Sequence, residues 1–250
     1  MGRTASMIIL SALALAPAPP TAQEQGDEPE SVLVALAHPD DELFMAPAIA
    51  ALAREGHSVR IVHATPGDAG PGVSGLAKGD ALAAIRRGEA QCAGQALGVT
   101  EVVNLGFGDG QLAAHVRDGS LEQALAAHVA AADLVLTWGP DGGYGHADHR
   151  LVSAIVSQMV QAAPAINRQR LLYVGIPDGD LPPVPDMADW AVTDPALLTQ
   201  TIPYTAADLA AARAAALCHA TQFPEPSREG MMGLFDATMW RGRVHFRPAF

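Results

Sequence analysis

Ser31-Val32-Leu33-Val34-Ala35-Leu36-Ala37-His38-Pro39-Asp40-Asp41-Glu42 is the stretch on which the fold and the chemistry turn. A valine-rich apolar run stops abruptly at an imidazole and three carboxylates. Leu43 to Arg54 then runs apolar and alanine-rich up to Gly56, placed as a helix C-cap would be. This predicts strand, sharp turn, helix. Pro39 fixes its own φ and biases His38 toward an extended conformation, so the turn is stiff. In an open α/β sheet, ligands bind beyond the carboxyl ends of the strands, where His38, Asp40 and Asp41 fall. Uncompensated carboxylates crowd one another, and a metal ion relieves that. His38 and Asp41 offer one nitrogen and one oxygen ligand, suited to zinc or another divalent ion. Asp40 is left beside the metal as a base. The plainer alternative is that Asp40 or Asp41 caps the next helix and His38 is a loop histidine.

A second stretch weighs against that alternative: Trp138-Gly139-Pro140-Asp141-Gly142-Gly143-Tyr144-Gly145-His146-Ala147-Asp148-His149-Arg150. It follows the strand-like Leu134 to Thr137 and precedes the helical Leu151 to Gln161. Catalytic zinc sites use three protein ligands and keep a fourth position for water. His149 completes such a set with His38 and Asp41, while His146 sits nearby without necessarily ligating. Strands alternating with helices at this spacing predict a Rossmann-like, doubly wound, mostly parallel α/β sheet with the active site at the C-terminal strand ends.

With these residues in view, the chain resembles the PIG-L/LmbE-like N-acetylglucosaminyl deacetylases. Ala37 to Glu42 is similar to that family's first motif, and Gly145-His146-Ala147-Asp148-His149 to its second, with Ala147 where a proline is usual. Weaker matches are Thr65 to Asp68, Arg86 to Glu89 leading to Leu97-Gly98-Val99, Leu105 to Gly110, and His219 to Gln222. Together they span residues 31–222. The resemblance implies a zinc-dependent N-deacetylase acting on a small N-acetylated amino sugar or its conjugate. It puts Arg86 near the sugar and makes His219 a candidate near the site. Asp109 either meets substrate hydroxyls or serves its Asp-Gly turn. As an unrelated helix-surface pair, Arg86 and Glu89 would contribute little. Within this chemistry Asp40 moves the water's proton, protonated His146 steadies the oxyanion, Asp148 orients His146, and Tyr144 donates a further hydrogen bond.

Working outward, residues 1–22 read as a secretory signal: Arg3, then the apolar Met7 to Ala16, too short to span a bilayer. Residues 23–30 read as a polar tether and 31–250 as one deacetylase domain. An exported location is therefore expected, with no membrane-spanning segment after cleavage. Cys92 and Cys218 lack zinc spacing and are either disulfide-bonded or two buried thiols. Thr65 to Gly79 is a long, glycine-rich loop of the kind that binds or gates. Further expected elements are strands at Val59 to Ala64, Glu101 to Asn104, Leu171 to Val174, Trp190 to Val192 and Thr199 to Ile202. Helices are expected at Asp80 to Leu97, Leu121 to Ala132 and Ala206 to His219. The tail from Met231 to Phe250 either packs on the body or rims the substrate.

A formal net charge of −12 argues against nucleic acid or anionic membrane as partners. Two other functions remain beside the deacetylase: a secreted, metal-containing carbohydrate-binding protein without turnover, and a metal hydrolase of another amide or an ester. Intact Asp40 and His146 weigh against mere binding. Oligomeric state is not legible.

Overall fold

A computed structural model describes residues 1–2 and 29–250. The expected signal and most of the tether lie outside the described residues. Strand β1 (Ser31–Leu36) is an interior strand of one seven-stranded sheet. It pairs in parallel with β2 (Ser58–His63) on one side and β4 (Leu134–Trp138) on the other. Beyond β2 lies β3 (Glu101–Asn104), also parallel. Beyond β4 come β5 (Arg170–Val174), still parallel, then β7 (Arg243–Pro248) and β6 (Gln200–Pro203), both in antiparallel pairings. The order β3-β2-β1-β4-β5-β7-β6 makes the sheet mostly parallel and doubly wound, as the alternation predicts.

Because β1 is covered on both faces, its run is apolar without alternation. Val32, Val34 and Leu36 belong to one core with α1 (Ala46–Arg54), α2 (Asp80–Leu97), α6 (Ala206–Cys218) and α7 (Glu225–Phe235). Leu33, Ala35 and Ala37 belong to the other, with α3 (Leu112–Arg117), α4 (Ser120–Ala130) and α5 (Ala147–Ala162). After β1 the chain winds outward to β3, then returns to β4 on the other side. A crevice opens at that reversal, beyond the ends of β1 and β4, and both motifs empty into it.

Two local expectations change, and one left open is decided. Trp190 to Val192 is not a strand: the segment turns, with the Trp190 N–H bonded to the Met187 carbonyl, and pairing there shrinks to a single Pro177–Thr193 bridge. The tail is part of the body, since β7 inserts between β5 and β6 and buries Val244 and Phe246. A six-residue helix, α3, follows the Leu105 to Gly110 loop where none was expected. Among the described residues, no helix is long and apolar enough to cross a membrane.

The cysteines are paired. Cys92 on α2 and Cys218 at the end of α6 form a disulfide across a sequence separation of 126. A bridge closing so long a loop mainly restricts the unfolded chain. Replacing both cysteines by serine should lower unfolding free energy by about 2–4 kcal/mol. Denaturant titration of the double variant against the oxidised protein measures this; equal midpoints would show that the bridge does not stabilise the fold.

Candidate metal centre

At the end of β1, the side chain of Asp41 folds back on its own strand. Its Oδ2 accepts the backbone N–H groups of Ala37 at 3.1 Å and His38 at 2.9 Å. That leaves Oδ1 facing the crevice, 2.9 Å from His149 Nε2. His149 stands in the first turn of α5, and its Nδ1 lies 3.1 Å from the Gly142 carbonyl, an oxygen that can only accept. Nδ1 is thus protonated, and in the neutral ring the Nε2 lone pair would face a carboxylate oxygen and, at 3.2 Å, His38 Nδ1. Lone pair against carboxylate at this distance is repulsive unless a proton or a cation lies between them. His38 Nδ1 and Asp41 Oδ2 are 3.7 Å apart. Tetrahedral ligands with bonds of about 2.0–2.1 Å lie roughly 3.3 Å from one another, close to the His38–His149 and His149–Asp41 Oδ1 spacings, and His38, His146 and His149 also group closely enough to hold an ion.

Negative charge surrounds this triad. His38 Nε2 sits 3.1 Å from Asp109 Oδ1 and 3.5 Å from Asp148 Oδ2. Those carboxylates are held in turn by the backbone N–H groups of Ala69 and Gly110. Burial opposes protonation of His38, yet the hydrogen bonds to Asp109 and Asp148 and the charge of Asp41 outweigh it and carry the imidazole up to about 10. Burial would raise Asp41 as well, but His149 and His38 hold it well below the usual carboxylate range. A cleft that keeps a histidine charged so far above neutrality has a surplus of negative charge for a divalent ion to neutralise.

Asp40 lies beside the triad in an uncommon conformation. Its φ is 90°, one of two positive values at non-glycine positions among the described residues. Such a residue persists only where its surroundings over-determine it, at a cost of about 1–3 kcal/mol. Here the backbone is gripped on both sides. The buried Arg86 guanidinium donates to the Pro39 carbonyl at 2.6 Å and to Gly67 at 2.9 Å, and lies 3.4 Å from Asp40 Oδ2. The Asp40 N–H donates to Glu42 Oε2 at 3.0 Å. Burial pushes Asp40 up to about 6, with Arg86 pulling the other way.

His146 is the N-cap of α5. Its Nδ1 accepts the Asp148 N–H at 3.2 Å, so the neutral ring carries its proton on Nε2. Its ring lies 4.7 Å from that of His38 and 4.8 Å from that of His149, centroid to centroid. Burial first, then the neighbouring His38 and His149, lower its pKa. The Asp148 side chain faces His38 and Gly110 rather than orienting His146. Tyr144 is half-exposed at the rim, and burial first, then Asp41 and Asp40, keep its hydroxyl protonated.

Eight of the ten residues singled out in the sequence thus meet at one place: His38, Asp40, Asp41, Asp109, Tyr144, His146, Asp148 and His149. Arg86 lies just behind Asp40, bonded to loop carbonyls, and does not form a surface pair with Glu89. Glu89 instead accepts from the Thr221 N–H and hydroxyl. His219 does not line the crevice; it is fully buried, with Nε2 2.6 Å from Glu42 Oε1. His63, which the sequence reading passed over, approaches the other Glu42 oxygen at 3.2 Å. Its signal was its place at the end of β2, in register with Leu36.

The PIG-L family model, described as GlcNAc-PI de-N-acetylase, matches residues 33–160. A 1D-myo-inositol 2-acetamido-2-deoxy-alpha-D-glucopyranoside deacetylase from Nakamurella multipartita is 33% identical over 238 residues, covering 78% of this chain and 80% of that protein. The N,N'-diacetylchitobiose deacetylase of Pyrococcus horikoshii superposes with a TM-score of 0.62 at 20% identity, over 88% of this chain and 84% of that one. The 4-carboxy-2-hydroxymuconate hydratase GalB of Pseudomonas putida KT2440 superposes with a TM-score of 0.64 at 17% identity, over 88% and 96%. At that identity the likeness is one of fold, which evidently hosts more than one reaction. The exported location expected from residues 1–22 is corrected: the matched relatives are 1D-myo-inositol 2-acetamido-2-deoxy-alpha-D-glucopyranoside deacetylases and lend it no support.

The strain at Asp40 has a measurable sign. Asp40→Gly removes the Cβ that makes φ 90° costly and one carboxylate from the crowded turn, so the metal-free protein should gain about 1 kcal/mol. Denaturant unfolding in a chelator tests this, and a loss of stability would mean the backbone there is unstrained.

Proposed function

The chain belongs to the PIG-L family of de-N-acetylases, and on that premise we propose that it hydrolyses the acetamide of an N-acetylglucosaminyl glycoside with one zinc ion held by His38, Asp41 and His149. The enzyme is an amide hydrolase of the deacetylase type. The substrate class rests on the relatives, whose named substrate is a small inositol glycoside. The observation that carries the metal assignment is the convergence of His149 Nε2 on Asp41 Oδ1 at 2.9 Å and on His38 Nδ1 at 3.2 Å.

Bound there, the ion would polarise the acetyl carbonyl and make a water molecule acidic near neutral pH. The protein's own groups do the rest. Asp40, whose ionised form Arg86 favours against burial, takes the proton of the attacking water and returns it to the departing amine. His146 donates Nε2–H to the carbonyl oxygen as negative charge builds on it, acting as a neutral donor fixed by the Asp148 N–H on its other nitrogen. Tyr144, with its hydroxyl protonated, provides a second donor from the rim. Asp109 and Asp148 hold the Nε2 proton of His38 and so present Nδ1 to the metal, the arrangement that makes a ligating imidazole more basic.

Separate variants distinguish ligand, base and donor. His149→Ala should strip the metal, measured by competition with a chromophoric chelator. Asp40→Asn should keep it and lower turnover by roughly 10²–10⁴-fold. His146→Ala should also keep the metal and cost about 10²–10³-fold. Full acetate release from a 2-acetamido-2-deoxyglucosyl inositol by His149→Ala, or loss of metal in His146→Ala, would reverse these assignments.

The acid side of the pH profile has a sign as well. Below its pKa Asp40 is protonated and cannot accept, so activity should rise with pH. Its carboxyl stands at about 6, and a neighbouring cation draws it lower. The rising limb of kcat should therefore lie at or below about 6. Arg86→Met, which removes the opposing charge, should move that limb upward; an unmoved limb would assign it to another group.

A further inference from the structure

Glu42 is a carboxylate with no exposure and no contact with the crevice, an expensive residue to keep for packing alone. Its two oxygens divide three donors. Oε2 takes the Asp40 N–H at 3.0 Å and faces His63 Nε2 at 3.2 Å, while Oε1 faces His219 Nε2 at 2.6 Å. Neither imidazole has other work to do: Nδ1 of His63 and Nδ1 of His219 are buried without a hydrogen-bond partner. Two histidines, from the end of β2 and from the end of α6, therefore converge on one carboxylate, and that carboxylate grips the backbone of the one strained residue in the turn.

Accepting Asp40 as the base, we propose that Glu42, oriented by His219 and His63, is a positioning residue that locks Asp40 in the left-handed conformation from which its carboxylate meets the attacking water. The lock is one half of a clamp whose other half is Arg86 on the Pro39 carbonyl. Burial would raise Glu42, but His219 and His63 hold it well below the usual carboxylate range, so it remains an acceptor throughout the working pH. His219 is thereby reassigned from substrate contact to support, with its imidazole raised despite burial by the same carboxylate.

The test is a double-mutant cycle read in kcat, KM and zinc affinity on a 2-acetamido-2-deoxyglucosyl inositol. Glu42→Gln should lower kcat by about 10–100-fold, as misaiming a reacting group does, with KM and zinc affinity within about threefold of wild type. Combined with Asp40→Asn it should add nothing to the loss from Asp40→Asn alone, because an absent base cannot be misaimed. Wild-type kcat in Glu42→Gln, full additivity in the double variant, or loss of zinc would each overturn the proposal. If Asp40→Asn itself keeps full turnover, it is the identity of the base that fails, and the proposal falls with it. Should Glu42→Gln not fold, His219→Leu and His219→Gln carry the same test. The leucine variant should lose kcat at unchanged KM, and the glutamine, which keeps an N–H donor, should restore most of it. Equal kcat in the two variants would overturn the proposal.

Discussion

Carboxylates gathered in a poorly hydrated crevice repel one another, and everything near the ends of β1 and β4 is arranged around that repulsion. Asp40, Asp41, Asp109 and Asp148 crowd a cleft backed by the permanent cation of Arg86, which is occupied with backbone carbonyls. The histidines interleave with the acids: His38 among Asp41, Asp109 and Asp148, His149 against Asp41. Such an arrangement is expensive for a protein that only has to fold and natural for one that binds a divalent ion. The same charge balance assigns the neighbouring groups. Burial together with Asp41 and Asp40 raises Tyr144, and burial together with His38 and His149 lowers His146.

The geometry of the crevice depends on its backbone as much as on its charges. A parallel strand buried on both faces gives a rigid base, and the turn that leaves it carries three functional side chains within four residues. Packing three such groups so tightly forces one of them out of the ordinary conformational regions, and Asp40 is that one. The glycine of the neighbouring loop shows how little room remains. A Cβ on Gly67 would lie 2.1 Å from the Arg86 guanidinium, which the loop carbonyls need within reach. Loop, guanidinium and turn are thus fitted to one another, and none can be changed alone.

Much of this was legible in the residues because period and punctuation agreed. The valine run of β1, the Gly98 cap of α2 and the alternation of strand and helix mark the parallel sheet without ambiguity. His38, Asp41 and His149 were legible because imidazoles and a carboxylate at two strand ends have few other uses. What escaped was the part decided by long-range packing. Trp190 looks like a strand residue by composition, yet it stacks on Phe44 and Tyr144 in a turn. The tail's place inside the sheet is fixed by pairing with β5 and β6, which no local pattern encodes. His219 and Glu42 are 177 residues apart, so nothing in either neighbourhood announces the other.

That separation also orders events during synthesis. The first motif leaves the ribosome early, but its partner sits on the turn after α6, which additionally accepts the Val73 N–H and holds the Gly70 carbonyl of the long loop. Closing a contact over such a distance is slow relative to forming a local helix. A nascent chain therefore holds the first motif well before it holds the His219 that we propose braces Asp40 through Glu42, and a truncated product released before residue 219 would lack that brace. Competence waits on translation of α6 and the turn that follows it.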